Sequence, residues 1–173
     1  MKTDTKNTLI CLLLVGLAIL VNGCHFGTKP VAWNVSVTKT TPASIEVDFI
    51  GVSPLEKPYW NDIKPDDYWR PNESTLSGSV RLATTNKITV NFQSTNTFVL
   101  QRQDPMWDDW FRYGATELMI MADLPGVYDN SPTDRRRLFL PLNSKIWRSK
   151  HHTLEIEIQD QFIRVLTPQR PQN

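Results

Sequence analysis

Between residues 31 and 166 the apolar side chains recur at every second position. A chain written that way folds into half-buried strands rather than amphipathic helices. Val31, Trp33, Val35 and Val37 alternate with Ala32, Asn34, Ser36 and Thr38. Ile45, Val47 and Phe49 alternate with Ser44, Glu46 and Asp48, and Ile88, Val90 and Phe92 with Lys87, Thr89 and Asn91. Leu154, Ile156 and Ile158 against Glu155, Glu157 and Gln159 give the cleanest case. Further strands are expected at 79–83, 97–101, 138–142 and 162–166. Residues 118–122 read L-M-I-M-A, apolar on both faces, which places them centrally in a sheet. About nine short strands separated by turn residues imply a mainly β fold, a two-sheet β-sandwich.

Two stretches break the alternation. Asp104-Pro105 opens a helix, with Asp as N-cap, Pro at the first helical position, and Asp108 and Asp109 near the positive end of the dipole. Trp107, Trp110 and Phe111 then share one face of two turns that stop before Gly114. The second stretch, residues 54–71, reads P-L-E-K-P-Y-W-N-D-I-K-P-D-D-Y-W-R-P. Pro58 and Pro65 permit only short helical turns there, with Tyr59, Trp60, Ile63, Tyr68 and Trp69 available to pack. No repeat or linker divides residues 31–166. The final residues 167–173, T-P-Q-R-P-Q-N, read as a disordered tail.

Ahead of the strands, residues 9–21 are apolar at every position but Gly16. The run is too short for a hydrocarbon core of ~30 Å, which needs about 20 helical residues. It fits the apolar centre of an export signal, with Lys2 and Lys6 as the positive start. Val21-Asn22-Gly23-Cys24 follows, and a small residue directly before a cysteine resembles the lipobox of bacterial lipoproteins. That resemblance implies cleavage after residue 23, a diacylglycerol on the Cys24 thiol and an acyl chain such as palmitate on its freed amine. An ordinary secretory signal or an uncleaved anchor are the alternatives. Cys11 goes with the signal, so Cys24 has no disulfide partner in the mature chain. His25 rather than Asp follows the cysteine, which in lipoproteins of Gram-negative type implies transfer to the outer membrane. Residues 24–30 form a short lipidated tether. Loss of residues 1–23 removes Lys2, Lys6 and Asp4, and 19 basic against 18 acidic residues become equal numbers. A neutral body gives no electrostatic case for nucleic acid or an anionic membrane surface.

No constellation of residues points to catalysis, and neither a cofactor nor a metal is implied. His151-His152 is the only histidine cluster, and neighbours on a strand point to opposite faces. Asp66-Asp67 and Asp108-Asp109 each follow a helix start, where acidic residues are favourable without further purpose. G-x-S-x-G, H-E-x-x-H and phosphate-cradling glycine loops are absent. Six tryptophans suit gaps between a sheet and short covering helices. Exposed indoles also stack on sugars, and Trp147 beside Arg148 is the position expected to lie open. Arg135, Arg136 and Arg137 form a basic cluster that reads either as a solvated turn or as a dock for an acidic partner.

The order of these features resembles the outer-membrane lipoprotein of type VI secretion systems, the TssJ/SciN family. The resemblance runs through the lipobox, the strand S-I-E-V-D-F-I-G-V, and the excursion with Tyr59-Trp60-Asn61-Asp62 and Asp66-Asp67-Tyr68-Trp69. It continues through residues 116–142 and the closing hairpin 154–166. It implies a transthyretin-like β-sandwich with short accessory helices and a non-enzymatic role. It further implies an outer-membrane anchor facing the periplasm and an inner-membrane-anchored secretion subunit as partner. Two departures stand out. Family members carry a long loop between the first two strands, often with a Gly-Arg-Pro-Ser-Pro-like segment that contacts the partner. This chain has only Lys39-Thr40-Thr41-Pro42-Ala43. A Trp-Arg pair that the family often places before its apolar-Pro-Leu step is replaced by Asp134-Arg135. The candidate contacts are therefore Thr41 and Pro42, the arginines 135–137, and Trp147 with Arg148. A periplasmic glycan- or peptidoglycan-binding lipoprotein using exposed tryptophans is the alternative.

The anchor gives the first prediction. Cys24→Ser is expected to leave the protein unacylated and released from the membrane fraction; unchanged retention on fractionation would show that Cys24 is not the lipid attachment point.

Overall fold

The computed structural model describes residues 29–70 and 77–171. Cys24, the signal and residues 24–28 of the tether lie outside the described residues. The strands are β1 (Asn34–Lys39), β2 (Glu46–Val52), β3 (Lys87–Asn91), β4 (Thr97–Leu100), β5 (Glu117–Ala122), β6 (Arg137–Pro141), β7 (Thr153–Ile158) and β8 (Ile163–Val165). The first sheet runs β4-β1-β7-β8 and the second β3-β2-β5-β6. All neighbours are antiparallel except β1 and β7, which pair in parallel with Val35 opposite Leu154. Eight of the expected strands are present, and residues 118–122 fall in the interior strand β5 as their two apolar faces require.

The inner faces of both sheets meet in one core. Val35, Val37, Val47, Phe49, Leu118, Ile120, Leu154 and Ile156 fill it from the strands, with Trp33, Trp107, Trp110 and Trp147 at its margins. A second core lies outside the second sheet. Ile50, Val52, Met119 and Met121 are covered by Trp60 and Ile63, from and just after α1 (Lys57–Asp62), and by Tyr68 of α2 (Pro65–Trp69). Ser53 and Glu56 exchange hydrogen bonds at 3.0 and 3.4 Å just before α1, an S-x-x-E capping arrangement.

The expected strand at 79–83 is instead part of helix α3 (Ser77–Ala83). Five alternating residues do not separate the two states. The helix seats Val80 on the second core, leaves Leu82 in water, and carries Arg81 to the sheet. There Arg81 Nε donates to Asp48 Oδ2 at 2.9 Å, beside bonds from Tyr68 Oη at 2.8 Å and Thr89 Oγ1 at 2.6 Å. Asp48 points away from the inner core as its register predicts, but it is fully buried beneath α2 and α3. Burial and the Asp48 carboxylate hold the Tyr68 hydroxyl well above the ordinary tyrosine range.

Helix α4 (Met106–Arg112) follows its expected start. Asp104 Oδ1 accepts from the Met106 N–H at 2.9 Å, and Gly114 at φ +82° ends the turn. Residues 167–170 correct the expectation of a disordered tail over 167–173, whose last two residues lie outside the described residues. Thr167 Oγ1 accepts from Glu155 N at 2.7 Å, Pro168 O from Arg148 N at 2.8 Å, and Arg170 N donates to Ile146 O at 2.7 Å. The Pro- and Gln-rich composition hid a backbone that satisfies the polar groups of the β6–β7 loop.

The sandwich has two distinguishable poles. At the near pole the chain comes in along Pro30 to Trp33, where Val31 N donates to Leu142 O at 3.0 Å. The far pole holds the β1–β2 connection, the β5–β6 loop and the β7–β8 turn, where Ile163 N donates to Arg135 O at 2.9 Å. Among the described residues no helix is long and apolar enough to cross a membrane.

Trp110 sits directly on the backbone of Gly51, on the inner face of β2. A Cβ there would lie 2.3 Å from its Cγ. Gly51→Ala is therefore expected to cost about 1–3 kcal/mol by overpacking. Thermal unfolding should register this as a fall in Tm of roughly 3–10 °C, and an unchanged Tm would show that the indole is not held in place.

Candidate partner interface

The residues singled out from the sequence do not form one surface. Thr41, Pro42 and Arg135 lie at the far pole, Trp147 and Arg148 at the near pole, and Arg136 and Arg137 point into the protein.

The far pole is rigid at its centre. Lys39 continues the inner-face register of Trp33, Val35 and Val37, and its side chain is buried. Its ammonium donates to Ala43 O at 2.7 Å and Phe92 O at 3.1 Å, which closes the β1–β2 connection over the core. Thr41 is buried and accepts from Ala43 N at 3.2 Å, so of the two expected contacts here only Pro42 faces solvent. A hollow of about 280 Å³ lined by Thr40, Asp160, Gln161 and Phe162 adjoins one of about 190 Å³ lined by Val127, Tyr128, Arg135 and Gln161. Val127, which lines the second of these, is fully exposed, a feature that its place in a polar loop did not disclose.

The three arginines divide. Arg135 is exposed at the rim. Arg136 is 2% exposed and holds Asp134 at 2.8 Å, Asn130 Oδ1 at 3.0 Å and Asp66 of α2, with its guanidinium 4.0 Å from the Tyr128 ring centre. Burial opposes its charge, but Asp134 and Asp66 outweigh that and raise it above the ordinary arginine value. The hydrogen bonds from Arg136 and Asn130 in turn hold the Asp66 carboxyl below the usual carboxylate range. Arg137 donates to the carbonyls of Trp60 at 2.6 Å, Ile63 at 2.7 Å and Asn61 at 3.1 Å, the open C-terminal end of α1. Burial lowers its affinity for the proton. Among the described residues the expected basic patch is thus one unpaired cation and two internal clamps, because the cluster abuts β6 where the excursion needed polar partners.

At the near pole Trp147 is 1% exposed, and its Nε1 donates to Pro141 O at 2.7 Å. The expectation of an open stacking indole there is corrected. The strand step before it leaves Pro141 O without a ladder partner, and the indole supplies the bond. Of the six tryptophans five are buried and Trp69 is half-buried under Arg81, 4.2 Å from its ring centre. The glycan reading thereby loses its platform. Arg148 is exposed, and His151 and His152 occupy a turn at φ 57° and 53° rather than a strand. Among the described residues no group of three or more His, Cys, Asp or Glu is placed to hold a metal.

No family model matches the sequence, and no curated protein does. Among solved structures, the fold is similar to the C-terminal domain of the type VI secretion protein TssM from EAEC, with a TM-score of 0.48, 10% identity, and coverage of 78% of this chain and 97% of that one. It is also similar to the type VI secretion lipoprotein TssJ1 from Pseudomonas aeruginosa, with a TM-score of 0.41, 11% identity, and coverage of 84% and 100%. A third is Serratia marcescens Lip, a membrane-bound component of the type VI secretion system, with a TM-score of 0.43, 13% identity, and coverage of 78% and 97%.

The division of the arginines is directly measurable. Arg136→Ala and Arg137→Ala each strand buried partners and should cost about 2–4 kcal/mol in chemical denaturation, whereas Arg135→Ala should stay within about 0.5 kcal/mol. Equal effects at all three positions would contradict this placement.

Proposed function

We propose that the chain is a lipoprotein, anchored through Cys24 in the inner leaflet of the outer membrane, whose periplasmic sandwich is a structural tethering subunit of a type VI secretion-like membrane complex. One observation carries the reading: the chain joins the sandwich at the near pole, while the β1–β2 connection lies at the far pole. That connection is the one the sequence resemblance marks as a partner contact. Lys29 follows Cys24 by 5 residues, a reach of at most about 18 Å. A lipid on Cys24 therefore holds the near pole at the membrane and turns the far pole toward the periplasm.

The role is confinement rather than chemistry. Lipid keeps the domain in a thin layer, which raises its effective concentration for an inner-membrane-anchored subunit reaching through the periplasm. Because the β1–β2 connection is short, the contact spreads over Pro42, Val127, Arg135, Asp160 and Phe162. Its backbone is already fixed by Lys39 and Arg136, so little ordering entropy is lost on docking.

Affinity purification of the lipidated protein from detergent-solubilised membranes is expected to recover an inner-membrane secretion subunit. Pro42→Asp combined with Val127→Asp should weaken that recovery by about tenfold or more while leaving membrane retention intact. Recovery of no secretion subunit with the unmodified protein would overturn the reading.

A further inference from the structure

The equal numbers of acidic and basic residues in the body conceal an uneven distribution. Residues 143–152 and 167–171 close the near pole beneath β6, β7 and β8, tied together by Arg148 N to Pro168 O and Arg170 N to Ile146 O. They contain Lys145, Arg148, Lys150 and Arg170 and no Asp or Glu. All four side chains are exposed, and among the described residues none of them forms an ion pair. The other half of the same pole is built from α4 beside β3 and β4, with Trp110 Nε1 bonded to Asn86 O and Trp107 Nε1 to Gln101 O. That half carries Asp104, Asp108 and Asp109 against Arg102 and Arg112, and Arg112 pairs with Asp109 at 2.9 Å. Lys87 follows Asn86 there, so the pole is basic on one side and close to charge-balanced on the other.

We infer that the basic half is a docking surface for anionic phospholipid headgroups and sets how the domain stands on the membrane. The inference rests on the lipid-anchored reading for its place in the cell. The incoming chain runs along the basic half, not along α4: Pro30 lines one hollow with Asn143 and Ile146, and Trp33 lines the next with Lys145, Trp147 and Arg170. A lipid on Cys24 keeps the near pole close enough for these cations to come within a Debye length of the surface, about 8 Å at physiological salt, where anionic headgroups attract them. The second hollow, about 300 Å³, opens beside Lys145 and Arg170 over the buried indoles of Trp33 and Trp147 and leaves room for a headgroup phosphate on a rigid floor. Attraction confined to one side of the pole gives a tilt with one preferred sense, so the far pole is presented in a defined direction.

The test uses the chain from residue 24 onward with Cys24→Ser, which holds both cores whole and carries no acyl chain. It is expected to co-sediment with vesicles of phosphatidylglycerol and phosphatidylcholine in equal amounts, not with vesicles of phosphatidylcholine alone, and to be released by raised salt. The K145Q/R148Q/K150Q variant should bind the mixed vesicles on the order of 100-fold more weakly with an unchanged thermal melt. Equal binding to both vesicle types, binding to neither, or full binding by a normally folded variant would overturn the inference. Acylation plays no part in this assay, so a failure here is distinct from a failure of the anchor, which fractionation of cells carrying Cys24→Ser reports separately.

Discussion

Strands β2 and β5 are apolar on both faces, and neither face of the second sheet can be left in water. The first sheet covers the inner face. On the outer face Ile50, Val52, Met119 and Met121 need a cover that the chain supplies with the proline-punctuated excursion after β2. Helices of 5 to 7 residues are too short to hold themselves. Their stability comes from what they touch, and polar groups on the sheet fix them in place. Asp48 receives Tyr68 and Arg81, Arg137 closes the end of α1, and Lys57 pairs with Glu117 at 2.8 Å.

The same bonds reach the far pole. Arg136 joins Asp66 on α2 to Asn130 and Asp134 in the β5–β6 loop, so the loop bearing Val127 and Arg135 is fastened to the cover of the second sheet. Lys39 fastens the opposite side of that pole through Ala43 and Phe92. Buried charges of this kind add little net stability compared with apolar residues, but removing one partner leaves the others uncompensated. Their effect is to specify one arrangement of loops that are otherwise rich in Pro, Gly and Asn. A surface presented to a partner gains from such fixation even when each bond contributes little.

Strand alternation was legible because a half-buried strand imposes a period of two, as the burial of β1 and β7 shows most plainly. What escaped the sequence was the second layer of burial. Ile50 and Val52 share a face with Asp48, and an apolar pair beside a carboxylate already signals that the face is covered. The arginines were misjudged for the same reason: clustering in sequence resembles a solvated turn, whereas Arg137 is the first residue of β6 and faces the excursion. Lys39 was readable from register alone, two residues beyond Val37. Trp147 was not, because its burial depends on a closing segment whose Pro and Gln composition carries no periodic signal.

Net charge proved the least informative number, since a local patch of one sign vanishes in a sum but not in a field. Residues 143–152 hold Lys145, Arg148 and Lys150 with no carboxylate among them, while α4 keeps its acids at the helix start where the dipole favours them. A free soluble domain gains nothing from this arrangement. For a domain held through a lipid on Cys24, as proposed, it matters, because attachment at one residue limits distance from the membrane without setting orientation. In that reading a one-sided basic patch at the near pole restricts that freedom, and a rigid far pole transmits the restriction to whatever it meets. Under the proposed function, anchor, charge asymmetry and clamped loops form one chain of physical cause, from lipid at one end to a directed contact surface at the other.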